Sequence, residues 1–204
     1  MSEILQVGID IETVGKYDSC VVTRIALTPF YFSEKDISFD DLCNRTLVIA
    51  LDQDEQVERG RIREPMTEEW WGKQSEELKK TSYYRTDEDL SILAAFEKMK
   101  KFLKMWRYNY MSSHLWARNS GFECFKLQSL SEMAYGKGMD MKVLNGWNWQ
   151  DFKTLNLILT GGETSKIDPV GVDMTTFMYH NPTHDSAMDC LRAIQLLNGI
   201  HDEV

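Results

Sequence analysis

The segment Gly8-Ile9-Asp10-Ile11-Glu12-Thr13 places two carboxylates two residues apart inside an apolar run. Residues i and i+2 of a β-strand point to the same face, so Asp10 and Glu12 are predicted to converge while Ile9 and Ile11 point into a core. Burying two like charges side by side is costly unless a cation holds them. Hard divalent cations such as Mg²⁺ and Mn²⁺ favour this all-oxygen ligation. The pattern therefore predicts a metal site at a strand end, which suggests phosphoryl chemistry.

Composition is that of a globular protein. The chain has 204 residues and 43% hydrophobic residues, so we expect one domain spanning 1–204. Its four cysteines show no C-x-x-C spacing, which favours free thiols in a reducing cytosol over a zinc site. The N-terminus lacks the features of a signal peptide, and no apolar run is long enough to cross a bilayer. We expect a cytoplasmic protein without a membrane partner, in the host cytoplasm if a phage encodes it.

The net charge of −9 weakens a nucleic-acid hypothesis when it is taken alone, because phosphate binding usually needs a basic surface. It does not exclude an enzyme that must release its product, since clustered active-site carboxylates raise the negative count and bound metal offsets part of it.

The first part of the chain is predicted to form three strands in an antiparallel meander, over residues 4–12, 20–27 and 44–51. The second strand is expected to end before Pro29, and the charged segment 52–64 to be an exposed loop. Helical spacing follows. Thr67 and Ser75 are expected to cap short helices, and an acidic start at Thr86 opens a helix that ends near Arg107. A strand over 114–117, a helix over 122–135 closed by Gly136 and Gly138, a strand over 147–149, and helices over 151–159 and 185–197 complete the chain. This order predicts an α/β fold with a ribonuclease-H-like mixed five-stranded sheet flanked by helices.

Three motifs in this order carry a family resemblance: Asp10-x-Glu12, then Trp116-Ala117-Arg118-Asn119-Ser120-Gly121-Phe122-Glu123, then His184-x4-Asp189. Together they resemble the DnaQ-like 3′–5′ exonucleases of the DEDDh type. Within that superfamily the chain looks most like small phage exonucleases of the DexA type and their bacterial exoribonuclease relatives. Supporting segments are residues 69–75, 87–89 and 147–154. The likeness extends from residue 8 to residue 190.

Two features leave alternatives open. The family carries Asp where this chain has Glu123, which is one methylene longer and still able to reach a metal. Weakened activity, or a nucleic-acid-binding or interaction module on the same fold, is the alternative to an active enzyme. The histidine motif also has two registers, because His180-x4-Asp185 has the same spacing. We favour His184 with Asp189, since Pro182 falls between the members of the other pair.

The resemblance implies a two-metal hydrolysis. Asp10, Glu12 and Asp189 would hold one Mg²⁺ or Mn²⁺, with Glu123 helping to hold the second ion. His184 would be the general base, because a free imidazole has a pKa near ~6.5. A single-stranded nucleic acid with a free 3′ end would be shortened to 5′-mononucleotides. DNA and RNA remain equally open, and so does a homodimer, which some relatives form.

Further side chains are candidates for substrate contact. Trp71 and Trp116 lie in family-like segments and could stack on bases, although tryptophan is more often a core residue. Arg118 could meet a phosphate or make a surface ion pair. Asp151 matches a family position, but we favour a helix N-cap for it.

Overall fold

Five strands form one mixed sheet. The computed structural model describes residues 3–136, 144, 148–162 and 168–200. Within them the strands are β1 Gln6–Thr13, β2 Val22–Phe30, β3 Leu47–Ala50, β4 His114–Ala117 and β5 Trp149–Asp151. The spatial order is β3-β2-β1-β4-β5. The pairs β1–β2 and β2–β3 are antiparallel, and β1–β4 and β4–β5 are parallel. The predicted mixed five-stranded sheet is confirmed.

Helices cover both faces of this sheet. They are α1 Phe39–Arg45, α2 Gln53–Glu58, α3 Pro65–Gly72, α4 Glu76–Ser82, α5 Ile92–Met105, α6 Ser120–Tyr135, α7 Phe152–Leu159 and α8 Pro182–Leu197. Residues of α5 and α6 share one core cluster with β1, and residues of α1, α7 and α8 share a second cluster with the end of β2. In the described part of the chain, no helix is long and apolar enough to cross a membrane.

The two faces of β1 serve different purposes. Val7, Ile9 and Ile11 are buried in the core under α5 and α6, as the alternation predicted. The other face begins at Gly8, where a Cβ atom would lie 2.3 Å from the Sγ atom of Cys190. Glycine therefore lets α8 lie directly against β1. This close approach brings the first turns of α8 beside the carboxylates that follow Gly8 on the same face.

Several predicted element ends are confirmed, and others are wrong. Ser75 caps α4 by accepting a hydrogen bond from the Leu78 N–H, as predicted. Thr67 is not a cap, because α3 already begins at Pro65, where the proline ring favours the first helical position. The long helix does not begin at Thr86. It begins at Ile92, with Ser91 accepting from the Ala94 N–H.

The strand predictions also need correction. β2 continues through Pro29 to Phe30, since a proline one residue from a strand end costs the ladder little. The third strand is shorter than predicted, and α1 precedes it. Trp147 and Gly138, assigned to a strand and a helix end, lie outside the described residues.

Segment 52–64 is not an exposed loop, because it contains α2 and three buried polar residues, Gln53, Gln56 and Arg61. The Gln56 amide accepts from the Val22 N–H at 2.9 Å and donates to the Val22 carbonyl at 2.8 Å. Arg61 donates to the carbonyls of Cys20 and Asp18 at 2.8 and 2.7 Å. These side chains satisfy main-chain groups at the start of β2 and in the turn before it, so this polar segment is buried rather than exposed.

Candidate active site

A pocket of about 1030 Å³ opens at the carboxyl ends of β1 and β4. The first turns of α6 and α8 form its floor, and α3 and segment 177–180 form one wall. In sheets with parallel strands, ligands bind in the crevice outside the carboxyl ends of the strands. The position of the pocket follows from the sheet order, because β1 is the strand at which parallel pairing begins.

Seven carboxylates line this pocket. Five of them come from three elements: Asp10 and Glu12 on β1, Glu123 on α6, and Asp185 and Asp189 on α8; the other two are Glu64 and Asp168. Asp10, Glu12, Glu123 and Asp189 were predicted to be site residues, whereas Asp185 belonged to the histidine register that was not favoured. Glu12 and Glu123 are each only 6% exposed. The structure therefore brings together all the carboxylates of the predicted motifs.

These carboxyl groups are difficult to ionise together. Burial and the nearby Asp185, Glu123 and Asp189 raise the pKa of Asp10 well above its usual range. Burial, Asp10 and Asp185 do the same to the pKa of Glu12. Burial chiefly raises the pKa of Glu123 to about 8 and that of Asp185 to about 7. Each group repels the others in a site largely removed from water.

Two carboxylate oxygens in the site lack a hydrogen-bond partner among the described residues, namely Oδ2 of Asp10 and Oε2 of Glu123. A buried acceptor left unpaired is unfavourable, and several carboxylates together increase that cost. A divalent cation would satisfy these oxygens and remove the repulsion. The oxygen donors of Asp10, Glu12, Glu123, Asp185 and Asp189 are of the type that hard cations such as Mg²⁺ and Mn²⁺ prefer.

The histidine that faces this cluster is His180. One carboxylate oxygen of Glu12, one carboxylate oxygen of Asp185 and one ring nitrogen of His180 all lie within 4.8 Å of one another. The main-chain N–H of His180 also donates to the Asp185 Oδ2 atom at 2.8 Å. The register that the sequence disfavoured is therefore the one whose two members meet in the pocket.

His184, which was predicted to be the general base, is not among the described residues that line the pocket. Its Nδ1 atom accepts from the Met178 N–H at 3.0 Å, and its ring packs on Phe39 and Phe177 with centroids 5.5 and 5.6 Å away. Burial lowers its pKa. The physical reason is that α8 begins at Pro182, so His184 lies in the helix rather than before it. Asp185 and Asp189, four residues apart, then share the face towards the pocket.

Asp189 lies in the pocket but is paired with two arginines. Its Oδ1 atom accepts from Nη1 of Arg118 at 2.6 Å and from Nη1 of Arg192 at 3.0 Å. Arg192 also lies 3.7 Å from a carboxylate oxygen of Asp168. Arg118 lines the pocket and makes an ion pair, one of its two predicted roles, with the carboxylate that was predicted to hold metal.

Asp151 is a helix cap, as favoured. Its Oδ1 atom accepts from the Thr154 N–H at 2.7 Å at the start of α7. Its Oδ2 atom accepts from the Ser120 N–H at 3.0 Å at the start of α6. One carboxylate thus fixes the beginnings of two helices, including the one that carries Glu123.

Of the two tryptophans predicted to stack on bases, Trp71 is buried and Trp116 is partly buried. Trp71 borders the pocket but is only 1% exposed, and its Nε1 atom donates to the Thr13 carbonyl at 3.0 Å. Trp116 is not among the described residues that line the pocket. It packs on Phe32 and Phe152 with centroids 5.4 and 5.3 Å away, because alternation along β4 turns it towards α7.

The aromatic wall of the pocket was not predicted from the sequence. It consists of Trp70, Phe177 and Tyr179, of which Trp70 is 38% and Tyr179 57% exposed. The signal was available for Trp70, because two adjacent tryptophans on one helix lie about 100° apart and cannot both be buried on the same face.

A model of the 3′–5′ exoribonuclease Rv2179c-like domain family matches residues 6–196. The chain belongs to this family. The predicted likeness to DEDDh-type 3′–5′ exonucleases is confirmed at this level, while the closer likeness to the phage DexA type stays a prediction. No curated protein matches the chain in sequence.

Solved structures agree on the fold of this Rv2179c-like domain. The zinc-bound complex of E. coli exonuclease I with single-stranded DNA superposes with a TM-score of 0.60 at 11% identity, covering 97% of this chain and 41% of that one. A second exonuclease I structure gives 0.58 at 11% identity, with 95% and 41% covered. E. coli exonuclease I with an oligonucleotide gives 0.54 at 10% identity, with 97% and 41% covered. The chain thus spans about two fifths of these neighbours.

The metal-free Rv2179c-like domain is expected to lose stability as the pH rises. The unfolded chain releases the Glu123 proton near 4.5, whereas the folded chain keeps it to about 8, and Asp185 keeps its own to about 7. Between these values the folded state holds more protons, so the free energy of unfolding falls with pH by up to ~1.4 kcal/mol per pH unit for each such group. Thermal melts in EDTA from pH 5 to 8 measure this fall.

The Glu123→Gln variant is the control for this titration, since its melting temperature should depend less steeply on pH. Saturating Mn²⁺ should also flatten the wild-type curve. A metal-free melting temperature that rises from pH 5 to 8 would contradict the assignment of buried, mutually repelling carboxyl groups.

Proposed function

We propose that this chain is a metal-dependent 3′–5′ exonuclease that shortens single-stranded nucleic acid to 5′-mononucleotides. The observation that carries the proposal is the convergence of Asp10, Glu12, Glu123 and Asp185 in one pocket of a chain of the Rv2179c-like family. Their raised pKa values and unpaired oxygens are those of a site built for cations rather than of a structural cluster.

Asp10, Glu12, Glu123 and Asp185 would hold two Mg²⁺ or Mn²⁺ ions. When bound, such ions stabilise negative charge on the transferring phosphoryl group and lower the pKa of a bound water. Glu123 takes the place of a family aspartate, and its unpaired Oε2 atom favours a role as a ligand.

His180 is proposed as the general base in place of His184. A neutral imidazole beside the carboxylates can accept the proton of the attacking water. The support for His180 is its position in the pocket beside Glu12 and Asp185. The support against His184 is that it is not among the described residues that line the pocket and that its Nδ1 atom already accepts from the Met178 N–H.

Arg118 is proposed to contact a substrate phosphate. Asp189 would then orient this guanidinium rather than bind metal, since the two groups lie 2.6 Å apart at the pocket wall. Arg192 shares the same carboxylate, so the trio carries one net positive charge near the carboxylate cluster.

Single strands are the proposed substrates, because the aromatic wall of the pocket offers flat rings to unpaired bases. Exonuclease I, which shares the fold, has been solved with single-stranded DNA, and the family description names an exoribonuclease. These two observations point to different sugars, so both substrates belong in the test.

The experiment is incubation with 5′-labelled single-stranded DNA and RNA in Mg²⁺, Mn²⁺ or EDTA, read on a sequencing gel. We expect a metal-dependent ladder that shortens from the 3′ end, and the faster substrate identifies the preferred sugar. An Asp185→Asn variant should leave both substrates intact. Tight binding without shortening in either metal would contradict the enzyme and favour a nucleic-acid-binding module.

A further inference from the structure

Lys126 is an unusual core residue. It lies on α6 three residues after Glu123, and it is 0% exposed. Lysine is almost never fully buried unless an acidic group pairs with it, because removing an ammonium group from water is costly. In the described part of the chain, no carboxylate forms an ion pair with Lys126. The reason for a lysine at this position must therefore lie in its other contacts.

The contacts of Lys126 join α6 to the turn between β1 and β2. Its Nζ atom donates to the Lys16 carbonyl at 2.9 Å and lies 3.4 Å from the centroid of the Phe122 ring. Phe122 lines the pocket, and so do residues 15–17, which form an edge that we call the lip. Lys126 itself is not among the described residues that line the pocket. It is therefore a buried group that supports one edge of the candidate active site.

The lip depends on Lys126 for its attachment to α6. Residues 16–19 are exposed, so the position of the turn is set mainly by hydrogen bonds to its main chain. Three neighbouring carbonyls accept from other donors within 3.0 Å: those of Gly15, Tyr17 and Asp18, bonded by Thr13, Cys20 and Arg61. Of the donors to these four carbonyls, only Lys126 belongs to the helix that carries Glu123.

We propose that Lys126 is a positioning residue, which fixes the lip relative to α6 so that Lys16 and Tyr17 contact the bound strand. The inference rests on the proposed function, in which the pocket binds single-stranded nucleic acid. The exposed side chains of Lys16 and Tyr17 carry a cation and a flat ring, which suit the phosphate and the base of a nucleotide. Without Lys126 the lip would be ordered only when the strand binds, and that ordering would weaken binding.

The competing role for Lys126 is electrostatic, because the charge of Glu123 acts on its ammonium group. Loss of a charge that serves Glu123 would change the affinity of the site for a cation. Loss of a support for the lip would instead raise KM and leave cation binding unchanged. The response to Mn²⁺ therefore separates the two roles.

The test compares Lys126→Met with the wild type in the full chain, on a single-stranded oligonucleotide. Methionine is unbranched and adapts to the space in a core, so the variant is expected to fold. We expect KM to rise about 5- to 20-fold, with kcat changed by less than about threefold. The melting-temperature increase on adding Mn²⁺ should equal that of the wild type.

Lys79→Met is the matched control. Lys79 is 8% exposed, pairs with Glu76 on α4 and is not among the described residues that line the pocket. This variant also removes a largely buried ammonium group, and it should leave KM unchanged.

A second measurement needs neither turnover nor substrate. Hydrogen–deuterium exchange of the metal-free protein should be faster in Lys126→Met for the peptide that covers residues 14–20, and unchanged for the peptide that covers α4. A third measurement uses the wild type alone: by NMR, the ammonium protons of Lys126 should exchange with water more slowly than those of the exposed lysines.

An unchanged KM, unchanged exchange in the turn, a changed response to Mn²⁺ or fast exchange of the Lys126 ammonium protons would each overturn the inference. Failure of the proposed function is distinguishable. The wild type would then leave the oligonucleotide intact, while the exchange difference between the wild type and Lys126→Met would persist.

Discussion

Replacing Asp10 with asparagine is expected to lower exonuclease activity by more than about 100-fold. Loss of an outer hydrogen-bond partner of a metal ligand already costs about 10–100-fold, and loss of the ligand itself should cost more. Asp10 is central to the cluster, because the charges of Asp185, Glu123 and Asp189 all act on it. The measurement is the initial rate of shortening of a labelled single strand in saturating Mn²⁺.

The same substitution should stabilise the metal-free protein. Asparagine has nearly the shape of aspartate and removes one carboxylate from a buried, mutually repelling group, so the melting temperature in EDTA at pH 8 should rise. The increase on adding Mn²⁺ should shrink, because a cation that binds only the folded state stabilises it less when it binds more weakly. Lower activity together with higher metal-free stability separates a ligand from a residue needed for folding.

Asp87→Asn is the matched control, since Asp87 is exposed in the turn before α5, away from the pocket. It should leave the rate and both melting temperatures unchanged. Near-wild-type cleavage by the Asp10→Asn variant would remove Asp10 from the metal site and with it the proposed mechanism.

Much of the fold could be predicted because the alternation of apolar and acidic residues along β1 identifies the two faces of the strand. Alternation sends Ile9 and Ile11 into the core and Asp10 and Glu12 to the opposite face, and the structure follows that division. The short apolar strand over 114–117 could be predicted in the same way, because its ends and its burial depend on the local residue pattern alone.

Other parts depend on long-range contacts that pattern does not carry. Gln56 and Arg61 look like surface residues in sequence, yet they satisfy main-chain groups of β2 and of the turn before it. Trp70 and Trp71 differ in exposure only because of how α3 sits on Thr13 and Tyr83. Polar and aromatic side chains acquire such roles from partners distant in the chain.

The histidine register depended on the interpretation of one proline. Pro182 separates His180 from Asp185, and it was taken as a sign of a loop. In the structure it occupies the first turn of α8, after the Asn181 cap, so that the helix begins earlier and turns Asp185 into the pocket. Proline favours this position because its missing N–H is unpaired there in any case.

His180→Ala is therefore expected to lower kcat by about 100- to 10,000-fold, the range that general bases contribute, with KM nearly unchanged. His184→Ala is the matched control, because it removes the same imidazole four residues along the chain. His184 packs on Phe39 and Phe177, so its loss should lower stability by about 1–3 kcal/mol and kcat by only a few-fold.

Steady-state rates at a temperature well below the melting point of both variants separate chemistry from stability. The variant with the larger loss of kcat identifies the histidine register. Each histidine has an aspartate five residues later, and of the two pairs only His180 and Asp185 meet Glu12 in the pocket. If His184→Ala lost the larger factor while remaining folded, the base would have to reach the cleft by a rearrangement of segment 177–184. The contact of His184 with the Met178 N–H would have to break first, so solvent exchange of that amide would be faster than that of its neighbours.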